Sequence, residues 1–267
     1  METMSPKEER ARSSEVIDVV SGLLRAGAAQ YRVLLQTLHF VFHGKPQPGA
    51  IFEHMYRIGN QSVVFLVVVM GFIGMIIVYQ AGIQMLRVVP DTNQLGPAYL
   101  QLLVKDLAAS IAALMLATRV GAGIAAEIGS MVVTEQVDAL RMCAADPIDY
   151  LIRPRFVASI IMTLMLVIVA GFVAYLTGMW TAASFFDVNP RTFTNLSRVT
   201  TGDVIVGITK CLAYGAAIPI VSGYCGLTTY GGSEGVGSAT TRAVVNSSLA
   251  VIILDFLISG AGYVLFE

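Results

Sequence analysis

Five long apolar segments dominate this sequence and constrain its fold more than any other feature. A helix needs about 20 apolar residues to cross the hydrocarbon core of a bilayer, and each segment supplies them. Only 13% of the 267 residues are charged, whereas a soluble domain is about one quarter charged. The sequence therefore predicts an all-α polytopic membrane protein with five transmembrane helices, at about residues 62–86, 98–124, 156–185, 204–224 and 247–266.

The residues before the first span have a different character and predict a separate region, 1–61, ahead of a transmembrane domain at 62–267. The first 15 residues are charged and predict no ordered structure. Apolar residues then alternate with polar ones over 16–42, which predicts an amphipathic helix lying in the membrane interface. An ordinary amphipathic helix that packs on a partner fits this pattern equally well. A second short interfacial element is predicted at 51–59.

The distribution of lysine and arginine predicts the orientation, because cytoplasmic loops carry an excess of these residues. One side of the predicted topology collects only Arg87, Arg191 and Arg198. The other side collects Lys7, Arg10, Arg12, Arg25, Arg32, Lys45, Arg57, Arg119, Arg141, Arg153, Arg155 and Arg242. The N-terminus is therefore predicted to be cytoplasmic, and the C-terminus to lie on the outer side.

A polar stretch, Arg119–Arg155, separates the second and third spans and is too charged to cross a membrane. Its apolar residues recur at helical spacing, which predicts a short amphipathic helix outside the bilayer at about 125–142. Pro147 and Pro154 mark the turn that leads into the next span. A solvated loop is the alternative interpretation of the same pattern.

This stretch also carries a family resemblance. AEIGSMVVTEQVDALR, followed by ADP and PRF, resembles a signature of the MlaE (YrbE) family, and SATTRAVVNSSLAVIILDF at 238–256 resembles its second signature. With the hydropathy profile between the two blocks, the resemblance covers roughly residues 55–267. Members of the family are permease subunits of MCE-type ABC transporters, which move lipids in bacteria and plastids.

The resemblance implies a function and a set of partners. The expected protein is the permease of an ATP-driven phospholipid transporter that maintains outer-membrane lipid asymmetry from the bacterial inner membrane. It is expected to form a homodimer with lipid between the copies. Two cytoplasmic ABC ATPase subunits, an outer MCE-domain ring and, in some complexes, a STAS-domain protein would accompany it. The helix at 125–142 would dock on the ATPase as a coupling helix, through Glu127, Met131, Glu135, Asp138 and Arg141.

Charged residues inside the predicted spans mark the expected lipid pathway. Lys105, Asp106 and Lys210 are costly in the hydrocarbon unless they are paired, hydrated or near an interface. Snorkelling of these side chains to the membrane surface is the alternative. The resemblance favours a role in lipid binding, and it adds Met75, Tyr79 and Gln80 of the first span to the pathway. The family's Gly-Pro after the charged pair is absent here.

Other motifs point away from catalysis. The segment 232–238 has the glycine spacing of a P-loop but lacks its lysine, so ATP hydrolysis is expected in a separate subunit. His39 and His43 stand four apart without a third metal ligand, and no nucleophile and base form a catalytic set. We therefore expect no enzyme activity, cofactor or metal. An ion-coupled secondary transporter, with Asp106, Lys210 and Asp255 as the relay, and a non-transporting membrane scaffold remain alternatives.

Overall fold

A computed structural model describes residues 27–44, 48–88 and 94–266 of the chain. The charged tail at 1–15 lies outside the described residues, as does the first part of the predicted interfacial helix. The rest of that helix is present as a helix over residues 27–43.

Helices make up nearly all of the described chain, which contains no strand. Five of them are long and apolar enough to cross a membrane, namely Pro48–Arg87, Leu95–Val133, Ile148–Phe186, Thr201–Leu227 and Gly232–Leu265. The prediction of an all-α polytopic protein with five spans is therefore confirmed. In chain order the helices are α1 (27–43), α2 (Pro48–Val88), α3 (Leu95–Val133), α4 (Gln136–Met142), α5 (Ile148–Phe186), α6 (Pro190–Phe193), α7 (Thr201–Leu227) and α8 (Gly232–Phe266).

The spans pack around α7 and α3. Helix α7 contacts α3, α5 and α8, while α2 packs along α5 at the side of the bundle. Alanine and glycine allow these helices to approach closely, as is usual for interfaces between membrane helices. A Cβ atom on Gly74 of α2 would lie 2.5 Å from the carbonyl oxygen of Ala174 on α5. Such contacts position the charged side chains described below.

Helix α2 is longer than predicted, because the short element expected at 51–59 is continuous with the first span. The polar run around Gly59, where the sequence predicts a boundary between the two, contains no proline. Ile58, Gly59 and Ser62 are buried, and a Cβ atom on Gly59 would lie 2.6 Å from Met162 Cε of α5. Packing on α5 therefore continues through this run and keeps it helical.

Helix α8 also begins earlier than predicted. Residues 226–246, expected to form a linker rich in Gly, Ser and Thr, are helical from Gly232 onward. Small residues recur every four positions on the buried face, namely Gly235, Ala239, Ala243 and Ser247. This spacing places a small-residue stripe against α3 and α7. A segment rich in Gly, Ser and Thr would usually form a loop in a soluble protein, but here it forms a helix that packs against other helices.

The sequence predicts one continuous helix at 125–142, and this prediction is wrong because the helix is interrupted between Val133 and Gln136. Helix α3 extends past the predicted end of its span as far as Val133, and α4 begins at Gln136. Glu135 lies between them with φ of 60°, a left-handed conformation that ends a helix. The polar stretch therefore consists of the last turns of α3, a sharp turn and the short helix α4.

Candidate functional site

Lys210 is the centre of a charged cluster inside the bundle. It lies on α7 and is fully buried, which would be very costly for an unpaired ammonium group. Its Nζ forms one ion pair with Asp106 of α3 and another with Asp255 of α8, at 2.7 Å from Oδ1. One lysine therefore joins carboxylates from two neighbouring helices.

Two hydroxyl groups complete this Lys210 cluster. Tyr214, one turn along α7, donates a hydrogen bond to Asp255 Oδ1 at 2.5 Å. Ser110, one turn after Asp106 on α3, lies 2.7 Å from Asp255 Oδ1 and 3.1 Å from Asp106 Oδ1. Asp255 thus accepts from two helices other than its own. This explains how a carboxylate near the middle of the fifth span is stabilised.

Lys105 is next to Asp106 but pairs with a different residue. Its Nζ lies 3.7 Å from Asp203 Oδ1 in the first turn of α7. Asp203 is also held by Thr200, whose backbone N–H donates to its Oδ2 at 2.9 Å. Lys105 and Asp106 thus form ion pairs with two different residues of α7, Asp203 and Lys210. Both residues lie in a π-helical turn, Leu103–Leu107, a feature frequent at functional sites.

The predicted pathway residues of the first span lie apart from this cluster. Met75, Tyr79 and Gln80 are on α2, which packs on α5, whereas the cluster lies among α3, α7 and α8. The Tyr79 ring contacts Phe185 of α5, with ring centroids 5.4 Å apart. Within one chain, the structure does not bring these two parts of the predicted pathway together.

Two largely apolar cavities lie between the helices and were not foreseen from the sequence. One, of about 510 Å³, separates α2 from the first turns of α3 and includes Gln84, Tyr99 and Arg198 in its lining. The other, of about 610 Å³, runs between α3, α5 and α7 and includes Tyr175 and Thr194. Apolar walls with a few polar groups are typical of small-molecule sites.

The predicted coupling residues divide into two groups. Glu127, on α3, forms ion pairs with Arg57 of α2 and, at 3.0 Å, with Arg155 of α5. It therefore ties three helices together within the chain. Met131 is partly buried against the core. The other three are exposed at the turn and on α4, namely Glu135, Asp138 and Arg141.

Sequence reasoning missed several partners of the predicted residues. Tyr214, Ser110 and Asp203 were not singled out, nor was the pairing of Arg57 and Arg155 with Glu127. A signal for the first two was present, since each hydroxyl lies four residues after a charged residue of the cluster. Such a pair shares a helix face.

Comparison with known proteins gives consistent matches. The family model described as Permease MlaE matches residues 51–261. The chain is 36% identical over 226 residues to a probable ABC transporter permease protein of Synechocystis, covering 84% of this chain and 86% of that protein. It is 30% identical to the intermembrane phospholipid transport system permease protein MlaE of Haemophilus influenzae, covering 94% and 97%. It is 29% identical to the chloroplastic protein TRIGALACTOSYLDIACYLGLYCEROL 1 of Arabidopsis thaliana, covering 82% and 63%.

Proposed function

The chain belongs to the MlaE permease family, and on this premise we propose that it is the membrane-spanning subunit of an ATP-driven phospholipid transporter. The observation that carries the proposal is the match to the Haemophilus protein, because the alignment covers almost the whole of both chains and that relative is named a phospholipid transport permease. In this chain, the segment 232–238 has P-loop spacing but lacks the lysine that reaches the phosphates. ATP hydrolysis then belongs to separate cytoplasmic ABC ATPase subunits.

The proposed location is the bacterial inner membrane, with the N-terminus in the cytoplasm and the C-terminus on the outer side. The lysine and arginine distribution supports this orientation. It puts α4 in the cytoplasm and α6 outside. An MCE-domain protein would then receive or deliver lipid at the outer side, and a STAS-domain protein would join the ATPase side. The function served is the maintenance of outer-membrane lipid asymmetry.

The Lys210 cluster supports a polar pathway closed by a second copy of the chain. The Asp106 and Asp255 side chains remain 40% and 28% exposed, and a carboxylate facing the hydrocarbon core is costly. We infer that this face of α3 and α8 borders a hydrated cavity rather than lipid tails. A homodimer that brings two such faces together would enclose that cavity. Because Met75, Tyr79 and Gln80 lie elsewhere in one chain, their proposed role requires the partner copy or a long cavity.

The two lysines have different proposed roles in this pathway. Lys210 is fully buried and already balanced by two carboxylates, so it sets the charge of the cavity wall. Lys105 has a side chain that is 27% exposed, and it is the better candidate for direct contact with a lipid phosphate. The snorkelling alternative predicts that neither lysine affects the amount of bound lipid.

Coupling to the ATPase is proposed to occur through the turn at Glu135 and the exposed face of α4. Asp138 and Arg141 pair with each other at 3.0 Å on this face. Charges at a protein interface mainly set its specificity and register. Glu127 has a different proposed role, because its ion pairs with Arg57 and Arg155 would pass a movement of α4 to α2 and α5.

The decisive experiment is reconstitution with the ATPase subunits in vesicles that contain a fluorescent phospholipid. We expect lipid transfer that requires ATP and persists when ion gradients are dissipated. Transfer that instead follows an ion gradient would favour a secondary transporter with the Asp106–Lys210–Asp255 relay, whose three residues do meet in the structure. No transfer under either condition, with the complex intact, would favour a scaffold.

The coupling surface has its own test. Reversing two exposed charges, Glu135→Lys with Asp138→Lys, should leave insertion intact because neither side chain lies in the bundle core. Like charges against a complementary groove cost several kcal/mol, so the variant should lose the ATPase in a pull-down. Arg191→Glu, an exposed charge reversal on the proposed outer side, is the control. Full ATPase recovery with the double variant would contradict the proposed surface.

A further inference from the structure

A second polar site lies at the opposite end of the bundle from the Lys105–Asp203 pair. It is a cavity of about 60 Å³ between α2, α3 and α5. Three arginines line it, one from each helix, namely Arg57, Arg119 and Arg155, together with a single carboxylate, Glu127. The cavity therefore brings positive charges together that lie far apart in the sequence.

The balance of charge in this cavity is incomplete. Glu127 forms ion pairs with Arg57 and Arg155, and Arg57 also pairs with Glu53 at 3.5 Å. Within the part of the chain that the structure describes, Arg119 forms no ion pair, and it is exposed. The cavity thus retains positive charge after its internal pairs are formed, which favours an anion.

Two buried hydrogen-bonding groups also lack partners at this site. Ser62 is 1% exposed and Arg155 is 7% exposed, and both line the cavity. Within the described residues, Ser62 Oγ and Arg155 Nε have no hydrogen-bond partner. A buried donor without an acceptor loses the hydrogen bond that it would make with water, which is unfavourable. An oxygen-rich anion would satisfy both groups.

The position of the cavity along α2 matches the level of lipid headgroups. Arg57 and Arg87 are 30 positions apart on this helix, which corresponds to about 45 Å at 1.5 Å per residue. A bilayer with its headgroup regions is about 40–45 Å thick. If Arg87 lies at one headgroup level, Arg57 and the cavity lie at the other.

We propose that this cavity binds the phosphate group of a lipid headgroup in the leaflet on the cytoplasmic side. Its volume of about 60 Å³ is several times the minimum of about 10–15 Å³ that one water molecule needs. It therefore holds a small oxyanion group and leaves the acyl chains outside, against the helices. Arginine suits this role because its planar, delocalised group matches phosphate geometry. The site is distinct from the proposed transport pathway, and it binds phosphate whether or not the chain moves lipid.

The test is native mass spectrometry of the full-length protein in non-ionic detergent, titrated separately with three probes. Phosphatidylglycerol carries the phosphate on a lipid, diacylglycerol with the same chains lacks it, and inorganic phosphate lacks the lipid. The masses distinguish the three directly. Arg119→Gln removes a charge from the cavity, and Gly123→Leu fills it, since a Cβ atom on Gly123 meets nothing within 4 Å. Gly237→Leu, at an equally open glycine on α8, is the matched control.

We expect Arg119→Gln and Gly123→Leu to weaken phosphatidylglycerol binding about tenfold, as for loss of one charged hydrogen bond. Diacylglycerol binding and the Gly237→Leu variant should be unaffected. If inorganic phosphate alone responds to the two variants, the site binds phosphate but the lipid source is wrong. If both variants bind phosphatidylglycerol as the unmodified chain does, the proposal is overturned. Because ATP-driven transfer is not measured, either result leaves the transport proposal to its own test.

Discussion

Replacing Lys210 with methionine should destabilise the fold far more than the same change at Lys105. Methionine keeps the length of the lysine stem but removes the ammonium group. Asp106 and Asp255 would then face each other without their shared cation. Lys105 is partly exposed and pairs more loosely, at 3.7 Å, with Asp203, so it serves as a matched control one residue from the cluster.

The magnitude follows from the burial of the groups. Removing one partner of a buried ion pair typically costs 3–5 kcal/mol, whereas an exposed pair contributes about 1 kcal/mol or less. Because the Asp106 side chain is 40% exposed, the lower end of the first range applies. We expect Lys210→Met to lower the free energy of unfolding by about 3 kcal/mol and Lys105→Met by about 1 kcal/mol. Adding Asp106→Asn and Asp255→Asn to Lys210→Met should recover most of the loss, because no buried charge is then unpaired.

The assay is reversible unfolding in mixed micelles as the fraction of a denaturing detergent increases, followed by circular dichroism. Two results would refute the reasoning. One is an equal loss for the two lysine variants, which would mean that Lys210 is no more strongly held than a residue at the interface. The other is a triple variant no more stable than Lys210→Met, which would mean that unpaired carboxylates are not the source of the cost.

Three further predictions concern orientation and packing. After replacement of the native cysteines, Asn195→Cys should react with an impermeant thiol reagent in intact cells and Ser130→Cys should not; the reverse labelling would invert the proposed topology. Gly74→Leu should lower the free energy of unfolding by about 1–3 kcal/mol because its Cβ meets a backbone carbonyl on α5, whereas Gly237→Ala, in open space, should raise it by up to about 1 kcal/mol. Glu127→Gln should lower the free energy of unfolding by about 2 kcal/mol, since two arginines lose their charged acceptor. An unchanged unfolding curve would show that water replaces these ion pairs.

The number and type of spans were predictable because the bilayer sets one length for every crossing helix. Tertiary contacts then shifted the ends of the helices. The run around Gly59 remains helical because α5 covers it, and the Gly- and Ser-rich segment after Gly232 remains helical because its small residues face α3 and α7. The composition of a short segment does not show which other helix will pack against that segment.

The partners of charged residues were less accessible from sequence. Asp255 lies within the fifth span, and its partners Lys210 and Ser110 lie 45 and 145 positions away on other helices. Only the arrangement of α3, α7 and α8 brings them together. The turn at Glu135 had no signal at all, since a left-handed residue is usually glycine or asparagine. The periodic pattern of apolar residues therefore predicts a helix that continues through Glu135.

The unbroken course of α2 gives it a mechanical property. A helix of 41 residues is about 61 Å long, which is more than the thickness of about 40–45 Å of a bilayer with its headgroups, so α2 extends beyond the bilayer at its Pro48 end. If α2 pivots about its middle, its two ends move in opposite directions. A tilt of 10° displaces each end by about 5 Å in opposite directions. Movement of the Arg57 end toward the other helices would thus move the Arg87 end away from them. The helix bundle would then narrow at one surface of the membrane and widen at the other.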